Sequence, residues 1–192
     1  MRPLPVAYGL IGVFVVAERL LRRGGEALSL EERPADRGTT RGVGLAFALS
    51  LPALLGASAL NRRRIGRLYG AKPAWGGVAV MAAGLVLRIW SARVLGAFYT
   101  RTLRTGAHQR LVGDGPYRLV RHPGYLGTLL LWLGASLAAA NGIVVAAIAV
   151  IMGRAYHARI IAEEAMLAEA FAGAYLSYAG HTWRLLPFVY AL

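Results

Sequence analysis

Cysteine is absent from the 192 residues, so neither a disulfide framework nor a thiolate metal site can form. The four histidines are scattered, and none has the His-Glu-x-x-His spacing of a zinc enzyme, so no catalytic metal is expected. A Gly-x-Gly-x-x-Gly fingerprint is also missing, which argues against a soluble dinucleotide-binding fold. Acidic residues are few, 9 against 22 lysines and arginines, giving a net charge of +13. In a soluble protein that surplus would indicate nucleic acid. Here the arginines cluster between apolar segments with no interleaved aromatic platform, a pattern that sets membrane topology and meets anionic lipid. Charged residues make up only 16% of the chain and hydrophobic ones 57%, with a mean hydropathy of +0.50. These values exclude an ordinary soluble domain and describe an integral membrane protein.

The apolar runs predict an all-α fold with five transmembrane helices, the last two forming a C-terminal helical hairpin followed by a short interfacial helix or tail. The first span covers 3–21 and lacks the small-residue cleavage site of a removable signal peptide, so it reads as an anchor. A polar loop, 22–41, leads to the second span, 42–60, which Pro52 is expected to kink. A basic loop at 61–73 precedes the third span, 74–98. This divides the chain into an N-terminal two-helix region, 1–73, and a core, 74–192.

Residues 124–153 form a 30-residue run without a charge. Asn141-Gly142 is a turn signal in its middle, and good helix formers continue past it to about Phe171. From His122 to Asn141 is roughly 28 Å of helix and from Asn141 to Glu163 roughly 33 Å, at about 1.5 Å per residue. The hairpin therefore returns Glu163 to the level of His122. Arg121, His122 and Tyr125 at one end then face Arg159, Glu163 and Glu164 at the other, with Tyr117 and Arg118 in the preceding loop. The simpler alternative is that Arg159 and Glu163 form an i,i+4 helix pair.

Two arginines lie deep within spans. Arg88 is about ten residues, or roughly 15 Å, from the end of its helix, where a guanidinium is costly unless paired or hydrated. Arg154 sits at a similar depth, nine residues before Glu163. Snorkelling or a structural pair with Glu18 accounts for one such arginine; two at one depth point to a polar cavity reaching into the bilayer.

The segment Gly-Pro-Tyr-Arg-Leu-Val-Arg-His-Pro-Gly-Tyr-Leu-Gly, 115–127, resembles the hallmark of the isoprenylcysteine carboxyl methyltransferase family and its phospholipid methyltransferase relatives. Arg159, Glu163 and Glu164, followed by Phe171, Tyr175, Tyr178, Thr182, Arg184 and Pro187, resemble its Arg-x-x-x-Glu-Glu element and aromatic tail. Leu87-Arg88-Ile89-Trp90 resembles the preceding helix, and the likeness covers about 75–187.

The resemblance implies a membrane-embedded methyltransferase using S-adenosylmethionine, with a lipophilic acceptor entering from the bilayer. By that analogy Tyr117, Arg121, His122, Tyr125, Leu126, Gly127 and Tyr175 belong to the cofactor pocket, and Pro123 fixes its turn. Glu163 or Glu164 would accept hydrogen bonds from ribose hydroxyls or the methionyl amine. Arg88, Arg154 and Arg159 are the candidates to hold or stabilise an anionic acceptor, either a carboxylate or a phenol or enol oxygen, and the tail 175–188 is expected to lie on the membrane as a lid. An NADPH-dependent sterol-reductase-like enzyme and a non-enzymatic lipid-binding protein remain the alternatives. The loops 22–41 and 101–121, with Arg19, hold eleven basic residues against six in the opposite set. The positive-inside rule then turns the site toward the cytosol of a bacterial inner membrane.

Overall fold

A computed structural model describes residues 3–21, 36–96 and 111–188. Five α-helices make up most of it: α1 Pro3–Leu21, α2 Thr39–Arg62, α3 Ala71–Leu95, α4 Pro123–Ala138 and α5 Gly142–Gly180. A single 3-10 turn, Gly115–Arg118, precedes α4. Residues 22–35 and 101–110 of the expected loops lie outside the described residues, as does the end of the third span at Phe98.

α1, α2, α3 and α5 are each long and apolar enough to cross a membrane. α4, with 16 residues, falls short of a full span by length but is the most enclosed helix, with eleven of its residues buried. α3 and α5 flank it, α1 packs on α3 and α4, and α2 lies against α5. Phe14 of α1, Phe47 of α2 and Trp132 of α4 meet in one aromatic cluster, with ring centroids 6.3 and 5.6 Å apart. The two N-terminal helices therefore share a core with the rest. Large apolar side chains such as Val15, Leu45, Leu55, Val86 and Val150 point outward, as lipid-facing positions do.

Apolar burial drives little helix association inside a bilayer, where lipid tails are as apolar as leucine; close backbone approach does more. Glycines on α3 and α4 provide it. A Cβ on Gly84 would stand 2.5 Å from the Gly127 carbonyl oxygen, and one on Gly134 would stand 2.6 Å from that of Gly77. The repeat of seven residues, 77 to 84 and 127 to 134, keeps these glycines on facing stripes two turns apart.

The hairpin turn is closed at the end far from His122. Ala140 takes a left-handed conformation with φ 54°, and Asn141 caps α5 by accepting from the Val144 amide at 3.1 Å. The Asn141 side chain also donates to Asn61 and to the Ile65 carbonyl, both at 2.8 Å. The turn signal at Asn141-Gly142 thus also clasps α2 to the hairpin.

α5 has 39 residues, more than one membrane crossing requires. From Gly142 to Glu163 it rises about 32 Å, roughly the hydrocarbon thickness, so the acidic pair sits at the boundary. The helix breaks at Ala172, with φ 43° and ψ −120°, and its last turns fold back over that end. The tail then pairs alongside 119–122. Trp183 donates to the Leu119 carbonyl at 2.9 Å, and the Arg121 amide donates to the Trp183 carbonyl at 2.7 Å. The tail is stitched to the loop before α4.

Gly84→Val is expected to cost about 1–3 kcal/mol by overpacking the α3–α4 contact. Thermal unfolding in detergent should show a lowered midpoint. Gly56→Ala, with nothing within 4 Å of the added Cβ, should leave it unchanged or slightly raised.

Candidate functional site

Pro123 occupies the first turn of α4, where its missing amide proton costs nothing, and His122 immediately precedes it with extended φ. This sharp entry aims Arg121 and His122 across the hairpin mouth at α5. Both are buried, and so are Tyr117, Arg159 and Tyr175.

Glu164 is the hub of one half of the site. It accepts from Arg121 Nε at 2.9 Å, from Arg184 at 2.8 Å and from His122 Nε2 at 3.2 Å. A carboxylate only accepts, so that His122 nitrogen carries the proton. The other arm of Arg121 donates to the Ala179 and Thr182 carbonyls at 2.7 and 2.6 Å, gathering the carbonyls at the C-terminal end of α5. Tyr178 donates to the Tyr117 carbonyl at 2.8 Å and ties the same end to the 3-10 turn.

Glu163 anchors the other half. The Tyr125 hydroxyl donates to it at 2.6 Å and accepts from Arg159 Nε at 3.2 Å. Arg159 continues to Asp36, and to the Thr39 and Thr40 hydroxyls at 2.9 and 3.0 Å. The side chain of Glu163 is 25% exposed, twice the 12% of Glu164. His122, Tyr125 and Tyr156 form a continuous ring stack with centroids 5.6 and 5.0 Å apart. Beside Tyr156 opens a cavity of about 400 Å3, walled by Leu129, Ile160, Leu185 and Leu186, with His157 and Arg184 as its polar members.

The expected residues do not all converge. Arg159 joins Glu163 through Tyr125, and its salt bridge goes to Asp36 rather than along the helix. Arg88 pairs with Glu18 through two hydrogen bonds of 2.7 and 3.2 Å. Its guanidinium also lies against Gly124, where a Cβ would come within 2.9 Å of it. Arg154 is exposed on the outside of α5. The pair of deep arginines lining one cavity is therefore corrected: equal depth put them on different faces. Gly127 turns toward α3, where a Cβ would stand 2.8 Å from the Arg88 amide, so it serves helix approach. Pro123 and Leu126 are buried in the first turns of α4. Among the described residues no cluster of His, Asp and Glu suits a metal ion.

Sequence reasoning missed Asp36, Tyr156 and His157. Asp36 carries a local signal: Asp-Arg-Gly-Thr-Thr before an apolar run marks a helix start. Its carboxylate accepts from the Thr40 amide at 3.0 Å. Nothing local names its partner 123 residues away.

The helices and the charged cluster at one end of the hairpin define an all-α integral membrane protein with a polar site at the bilayer boundary. The model of the phospholipid methyltransferase family matches residues 73–174, and the chain belongs to that family. Protein-S-isoprenylcysteine O-methyltransferases B and A of Arabidopsis thaliana are each 32% identical over 115 residues, 59% of this chain and 58% of theirs. The match therefore spans less than two thirds of those relatives. A probable enzyme of the same name from Oryza sativa subsp. indica is 30% identical over 115 residues, again 59% of this chain and 60% of its own. Among solved structures, the eukaryotic intramembrane Ras methyltransferase ICMT superposes with a TM-score of 0.67, over 98% of this chain and 68% of that one. At 18% identity that likeness speaks for the fold alone.

Two outcomes check this geometry. Glu164→Gln removes the charge that two guanidinium groups and the His122 ring N–H share, and amide exchange of residues 119–122 and 181–184 is expected to rise about tenfold or more. Unchanged exchange would mean that backbone pairing alone holds the tail. The second concerns Asp36, where burial raises the carboxyl but the Thr40 amide and hydroxyl and the Arg159 guanidinium outweigh it, holding the group below its usual 3.8. A carboxyl depressed on folding contributes stability that is complete above its unfolded value and is lost as pH falls through the folded one. Asp36→Asn should therefore lower the melting temperature at neutral pH, with the gap from wild type closing below pH 3.8. A gap constant down to strong acid would remove the charge from the explanation.

Proposed function

We propose that the chain is an S-adenosylmethionine-dependent methyltransferase acting on a lipophilic acceptor that enters from the bilayer. The observation that carries this reading is the division of the acidic pair. Glu164 accepts from Arg121, Arg184 and His122, while Glu163 accepts from Tyr125, stands 3.9 Å from His122 Nδ1 and keeps accessible surface beside an aromatic stack. Family membership and the isoprenylcysteine methyltransferase relatives support the same class.

The residues present fit the cofactor. Glu163 can accept from ribose hydroxyls or from the methionyl ammonium group, and the ring of Tyr156, which lines the cavity, suits a sulfonium. The Tyr175 hydroxyl is buried beside Glu164 without a well-formed hydrogen bond to it, and a ligand's polar atom could complete it. S-adenosylmethionine supplies a methyl group already activated for displacement. The protein's contribution is to orient the acceptor in line and to exclude water. Leu129, Ile160, Leu185 and Leu186 present an apolar wall to the acceptor's chain, and His157 and Arg184 offer donors to an oxygen at its head. A carboxylate acceptor needs no base; a phenol or enol would need its proton drawn off, for which His157 stands in the cavity wall. A small amphiphile, an isoprenylcysteine-like carboxylate and a phospholipid amine are the acceptors to screen.

In this reading residues 74–192 carry the methyl-transfer core, with 1–73 as a packing region. The mouth faces the cytosol, where the cofactor is made. Calorimetric titration of the detergent-purified protein with S-adenosylhomocysteine should give saturable binding, weakened about tenfold or more by His122→Ala and by Glu163→Ala. NADPH binding in its place would put a reductase first, and a folded protein silent to both would leave a lipid-binding role.

A further inference from the structure

Asp36 belongs to neither the matched family region nor the cavity, yet it is fully buried and charged. Its carboxylate has two tasks. One oxygen accepts from the Thr40 amide at 3.0 Å and fixes the start of α2, while the other accepts from the Thr40 hydroxyl at 2.9 Å and from the Arg159 guanidinium. Thr39 and Thr40 add their hydroxyl oxygens to the same arm of Arg159, at 2.9 and 3.0 Å. The three side chains form a receptor for one guanidinium nitrogen at the N-terminus of a helix.

The far side of that guanidinium determines where a proton points. Arg159 has no acceptor capacity, so its Nε–H donates to the Tyr125 oxygen. With that lone pair occupied, the Tyr125 hydroxyl turns its own hydrogen to Glu163, 2.6 Å away. The same bond holds the Tyr125 ring between His122 and Tyr156. If Arg159 lost its anchor, its side chain would be free to pair with Glu163 four residues on, the bond that helix spacing alone favours. Tyr125 would then lose both its donor and its acceptor.

We propose that Asp36, with Thr39 and Thr40, is a positioning element for the cofactor site. It holds Arg159 away from Glu163, so that Tyr125 is oriented and one oxygen of Glu163 stays open to ligand. The proposal rests on the methyltransferase reading for its ligand, but not for the geometry, which exists in the ligand-free protein. It gives the N-terminal helices a part in the site.

The test compares Asp36→Asn, Asp36→Glu and a matched destabilised control, Gly77→Ala, which burdens the α3–α4 contact far from the mouth. Two readouts are taken: affinity for S-adenosylhomocysteine by calorimetry, and the 13Cζ resonance of Tyr125 in the ligand-free protein, assigned with Tyr125→Phe. The expected result is a displaced Tyr125 resonance and about tenfold weaker binding in Asp36→Asn, as loss of an outer supporting group typically produces. Asp36→Glu should recover part of both. Gly77→Ala should lower the melting temperature and move neither. An unmoved Tyr125 resonance in Asp36→Asn would overturn the proposal and leave Asp36 as a helix anchor. A wild-type protein silent to S-adenosylhomocysteine, with Tyr125 displaced in Asp36→Asn, would sink the methyl-donor reading and uphold the positioning role.

Discussion

A carboxylate at the edge of a bilayer is expensive unless each of its lone pairs is met, and Glu164 imposes that constraint on everything near it. Its three donors come from two separate places: Arg121 and His122 before α4, and Arg184 in the tail. Satisfying one charge therefore assembles the loop, the hairpin and the tail into a single mouth, and Arg121 extends the bond to the carbonyls of Ala179 and Thr182. The tail's pairing with 119–122 follows from that arrangement, because both strands of backbone converge on the same anion.

The membrane-embedded half obeys a different rule. There the chain has little to gain from burying apolar surface, so shape decides, and the glycines at 77, 84, 127 and 134 let α3 and α4 approach to backbone contact. That approach also disposes of Arg88. Its guanidinium rests over Gly124 and pairs with Glu18, which brings α1 against the same two helices. A charge deep in a span is here a tie between three helices.

Much of this was legible in the chain. The hairpin followed from Asn141-Gly142 and the rise per residue, and the meeting of His122 with Glu163 and Glu164 from the same arithmetic. What depth could not supply was direction. Arg88 and Arg154 lie at similar levels, but α3 and α5 are apolar on nearly every side, so no periodic stripe tells which face is covered. One arginine is buried and the other exposed. The docking of the tail was out of reach for a related reason. Alternating aromatic and polar residues read as an interfacial segment, but the backbone bonds that join it to Leu119, Arg121 and His122 leave no trace in side-chain pattern. Asp36 was invisible as a site residue because its partner is distant in sequence.

Two adjacent acidic residues on one helix are separated by about 100° of rotation, and this explains why the site needs both. From neighbouring positions on α5, Glu164 looks toward the loop and tail while Glu163 looks toward α4. The first can then be spent on structure without blocking the second. A single carboxylate asked to do both would have its lone pairs filled by arginine and histidine before any ligand arrived. The same separation divides the cations: Arg121 and Arg184 serve Glu164, and Arg159, the guanidinium nearest Glu163, is drawn off to Asp36. A site for a cationic ligand requires an anion that the protein's own surplus of positive charge does not neutralise. With 22 basic residues against 9 acidic, keeping one carboxylate oxygen open is an electrostatic problem in its own right, and the N-terminal carboxylate is part of its solution.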